Sequence, residues 1–113
     1  MSKDSVLALG IAAILAAAVW AVSVPFTGQR EPWDAEGGFY PSGLLLAGLL
    51  AGAVMPRPLW AHYVGGIVGQ FAYMLLFLGS GPLVGLGAIF MAISSLVLLI
   101  GALTGSRLRL ALG

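Results

Sequence analysis

No Asp, Glu, Lys or Arg occurs within residues 5–24, 40–55, 59–79 or 82–105, four apolar stretches that take up most of the 113 residues. An α-helix rises about 1.5 Å per residue and the hydrocarbon core of a bilayer is about 30 Å thick, so roughly twenty apolar residues cross it. Three stretches reach that length, and 40–55 is short. The chain is therefore expected to be all-α: a polytopic membrane protein folded as a four-transmembrane-helix antiparallel bundle. Residues 1–113 form one unit in this reading, with 25–39 as the outer loop.

The first stretch follows Lys3 and carries Val19-Trp20-Ala21, which resembles a signal-peptide cleavage site. Its apolar run exceeds the ~7–15 residues of a signal core, so it is expected to remain as a span. Charge then sets orientation. Lys3, Arg57, Arg107 and Arg109 fall on one side of four spans and only Arg30 on the other, which places both termini in the cytoplasm by the positive-inside rule. The expected location is a cell membrane crossed several times, the inner membrane of a bacterium, with the lipid bilayer as first partner.

Composition removes several functions. With no cysteine there is no disulfide, thiolate metal site or cysteine nucleophile. Arg57, Arg107 and Arg109 are too few for a nucleic-acid footprint and are explained by topology. Ser94 or Ser95 with His62 is the only conceivable nucleophile and base, at different membrane depths and without an acid to orient the histidine, so no enzyme is expected. Neither a metal site nor a cofactor is expected.

Prolines and glycines punctuate the helices. Pro25 and Gly28 are expected to close the first span, Pro41 to open the second, Pro56-Arg57-Pro58 to reverse the chain, and Ser80-Gly81-Pro82 to precede the fourth. Connections this short imply that consecutive helices are antiparallel neighbours. Helices in lipid associate where small residues let backbones approach, so small faces are expected at the interfaces. These are Gly10, Ala13, Ala17 and Ala21 in the first span, and Gly43, Ala47, Gly48, Ala51 and Gly52 in the second. In the fourth they are Gly85, Ala88, Ala92 and Ser95.

In the third span the small face is also the polar one: His62, Gly65, Gly66, Gly69, Gln70 and Tyr73 share an arc of roughly 140°. Gly65 and Gly69 form a small-xxx-small pair. Gln70 lies near the bilayer midplane, where its amide needs a partner such as Ser94, Ser95 or a carbonyl. His62, the only histidine, lies beside Trp60 and Tyr63 at the headgroup zone, and a histidine-ligated group would need an open coordination position or a second subunit. The outer loop carries Arg30, Glu31, Trp33, Asp34 and Glu36, a mixture of charges and aromatic surface suited to docking. It is expected to fold over the bundle mouth, with Trp33, Phe39 and Tyr40 at headgroup level.

Two functions from different classes are consistent with this pattern. The first is a non-catalytic accessory or assembly subunit of a larger inner-membrane complex, partnered by other membrane-protein subunits. The alternative is a small homo-oligomeric channel or carrier lined by His62, Gln70 and Tyr73.

Overall fold

The computed structural model describes residues 2–32, 37–79, 81 and 84–113. Its elements are α1 (Lys3–Ala21), α2 (Ser23–Thr27), α3 (Phe39–Val54), α4 (Leu59–Tyr73) prolonged by a π-helical turn (Met74–Leu78), and α5 (Val84–Leu112). No strand occurs among the described residues. Three helical runs are long and apolar enough to cross a membrane: Lys3–Thr27, Leu59–Leu78 and Val84–Leu112. The 16-residue α3 is apolar and shorter.

Helix limits follow local chemistry, with two departures from expectation. Ser2 caps α1, its side chain accepting the Ser5 N–H at 3.1 Å. Pro25 does not close the first span. The helix breaks at Val22, so Pro25 falls in the first turn of α2, where a backbone N–H would have no acceptor within that helix. The run ends instead at Gly28, whose φ of 79° is the left-handed conformation that closes helices without strain in glycine. The fourth helix does not stop at residue 105 but continues to Leu112. Arginine and leucine are good helix formers, and cations near a helix C-terminus complement its dipole.

Helix pairing also differs from the expected order. The closest partners are α1 with α4 and α3 with α5; α4 also packs on α5 and α1 on α3. Although α3 and α4 are joined through Met55–Pro58, they touch little. Both tight pairs are parallel. Gly65 lies on the Leu9 carbonyl and Gly69 on that of Ala13, so positions rise together along α1 and α4. In the other pair Gly101 lies on the Leu45 carbonyl and Gly105 on that of Leu49, while Gly48 and Gly52 meet the carbonyls of Leu98 and Ala102. A Cβ at any of these six glycines would penetrate the facing backbone. Two Gly-xxx-Gly ridges thus interlock from opposite sides, at a spacing that favours dispersion and Cα–H···O contacts.

The small faces are only partly where the sequence put them. In α1 the buried stripe is Ser5, Ala8, Ala12, Ala16, Val19 and Trp20, while Ala21 is exposed and Gly10 faces open space. In α5 the glycines that matter are Gly101 and Gly105, and Gly85 is exposed with nothing near it. The stripe of α3 is Leu44, Ala47, Gly48, Ala51 and Gly52; that of α4 is Ala61, His62, Gly65, Gly66, Gly69 and Gln70.

At the end of the bundle where α3 turns into α4, carbonyls in the last turn of α3 and just beyond it find side-chain donors. Arg109 Nη1 donates to the Ala53 carbonyl at 2.7 Å, Ser106 Oγ to that of Pro56 at 2.8 Å, and His62 Nε2 to that of Met55 at 2.6 Å. These carbonyls have no partner within their own helix, and a guanidinium there complements the negative end of the dipole.

Candidate functional site

Gln70 is wholly buried and joins all four long helices. The Trp20 indole N–H of α1 donates to its Oε1 at 3.0 Å, and the Tyr40 hydroxyl of α3 donates to the same oxygen. Its Nε2 donates to Ser95 Oγ of α5 at 3.0 Å. The amide orientation follows from the partners: an indole can only donate, so the carbonyl oxygen must face it. Ser94 Oγ lies 2.8 Å from the Tyr40 oxygen and 3.2 Å from the Met91 carbonyl; with the Tyr40 proton engaged by Gln70, the single Ser94 proton serves these two acceptors.

Aromatic and apolar side chains wall off this hub. The Tyr40 and Phe90 rings stack with centroids 6.2 Å apart and planes 13° apart. Tyr73, half-buried, lies 6.3 Å from the Trp20 ring and 4.7 Å from that of Phe77. Met74 and Met91 are buried against Trp20. Closed in this way, the cluster sits in a medium where an unmet polar group is costly, and each member is met by another.

Gln70 and Tyr73 therefore share one neighbourhood, but His62 does not. It lies eight residues earlier on α4, about 12 Å along the helix axis. It is wholly buried, with Nε2 committed to Met55 and Nδ1 without a hydrogen-bond partner among the described residues. A group shared with a second subunit could not reach this ring without separating the helices. Gly65, Gly69, Ala47 and Gly48 lie at the helix contacts already described.

Of the loop positions, Arg30 is exposed and Glu31 half-buried, while Trp33, Asp34 and Glu36 lie outside the described residues. The near part of the loop turns back onto α2: Ser23 Oγ donates to the Gln29 carbonyl at 2.5 Å, and Pro32 is fully buried. Among the described residues, no group of three or more His, Cys, Asp or Glu side chains is placed to hold a metal ion.

Sequence reading missed two members of the hub, Trp20 and Tyr40. It assigned the first to a cleavage-like tripeptide and the second to the headgroup level. The available signal was their chemistry, because an indole N–H or phenol O–H buried in lipid needs an acceptor, and Gln70 carries the main side-chain carbonyl within the spans. Comparison with protein-family models, with curated proteins and with solved structures gives no match.

Proposed function

We propose that this chain is a small non-catalytic membrane subunit that acts in the assembly of a larger inner-membrane complex. In this reading it crosses the membrane four times, α3 being the short span, with both termini in the cytoplasm of a bacterial cell. The observation that carries the proposal is the closure of the Gln70 hub. The midplane polar groups engage one another, and the glycine contacts bring backbones too close for a lumen between the paired helices. The outer faces remain broad and apolar, with Ile14, Leu76, Leu86 and Ile93 all at least 60% exposed. Such faces can meet lipid or the helices of partner subunits.

Orientation is checked by labelling single cysteines in intact cells, since the native chain has none. Cysteines at Arg57 and Arg107 should react only after the membrane is permeabilised, and one at Gln29 beforehand. The reverse pattern would overturn the orientation. Function is tested by purification in mild detergent with mass analysis of accompanying chains, followed by reconstitution in liposomes. Stoichiometric partner subunits and no flux of small ions or polar solutes are expected. A homo-oligomer with robust flux that Gln70→Leu abolishes would replace this reading with that of a channel or carrier.

A further inference from the structure

We draw no further inference here: the strongest candidate, the Nδ1 of the wholly buried His62 ring at the end of the bundle where α3 turns into α4, has no hydrogen-bond partner among the described residues but joins no group of metal-ligating side chains among them, and nothing in the structure shows what it would hold.

Discussion

Gly48→Leu should lose most of the folded protein, whereas Gly10→Leu should leave it nearly unchanged. A Cβ at Gly48 falls inside the Leu98 carbonyl, a backbone group that cannot move aside by changing a rotamer. The α3 and α5 ridges would have to separate along their whole shared length. Overpacking commonly costs about 1–3 kcal/mol where side chains can adjust, and a backbone obstacle places this substitution at or above the top of that range. Against a total stability on the order of 5–15 kcal/mol, that loss depletes the native state. Gly10 has nothing within 4 Å of its Cβ position, so a leucine there enters open space. Its expected effect is within about 0.5 kcal/mol. Monodisperse yield after gel filtration and unfolding by dodecyl sulfate in mixed micelles measure both. Equal losses from the two substitutions would refute the packing just described.

The second large effect is expected at Gln70. Leucine there withdraws the acceptor shared by Trp20 and Tyr40 and the donor that reaches Ser95. Interhelical hydrogen bonds in membranes average about 0.6 kcal/mol and reach about 1.7, while a buried group deprived of a partner costs about 1–3 kcal/mol. Three bonds converging on one amide put Gln70→Leu at about 2–4 kcal/mol, against about 1 kcal/mol for Ser95→Ala. Trp20→Phe combined with Gln70→Leu should cost less than the sum of the two, because the second change removes a bond already lost. Strict additivity, or a Gln70→Leu cost below about 0.5 kcal/mol, would show that the hub contributes little to stability.

The positions of the apolar helices were legible because exclusion of charge from about twenty residues is a strong local signal. Helix ends were legible where glycine imposed geometry, as at Gly28, and illegible where a proline could equally sit in a first turn, as at Pro25, or where a charge merely suggested an end, as at Arg107. The rotation of α1 was hidden by its composition: in an alanine-rich helix several faces read as small, and choosing Ala12 over Ala13 needs the partner. The third span was clearer, because His62, Gly69 and Gln70 are polar or small against a bulky opposite face. The hub was half legible. Gln70 declares a need for partners in lipid, but which donors reach it depends on Trp20 and Tyr40, which lie 50 and 30 residues away. The pairing of non-consecutive helices had no local signal at all, since short turns constrain direction and leave neighbourhood open.

That pairing bears on how the chain is made. During synthesis α1 and α3 emerge before α4 and α5, yet the glycine edge of α3 fits α5 and the core stripe of α1 fits α4. The emerging hairpin therefore waits with those edges uncovered until α4 and α5 have been made. α5 is the closing piece. It alone fills the ridge of Gly48 and Gly52, supplies Ser95 to Gln70, and ties off Ala53 and Pro56 at the far end. Assembly of these elements is consequently postponed until α5 is made, and a nascent chain stalled before Val84 holds the other described helices without the one that locks them.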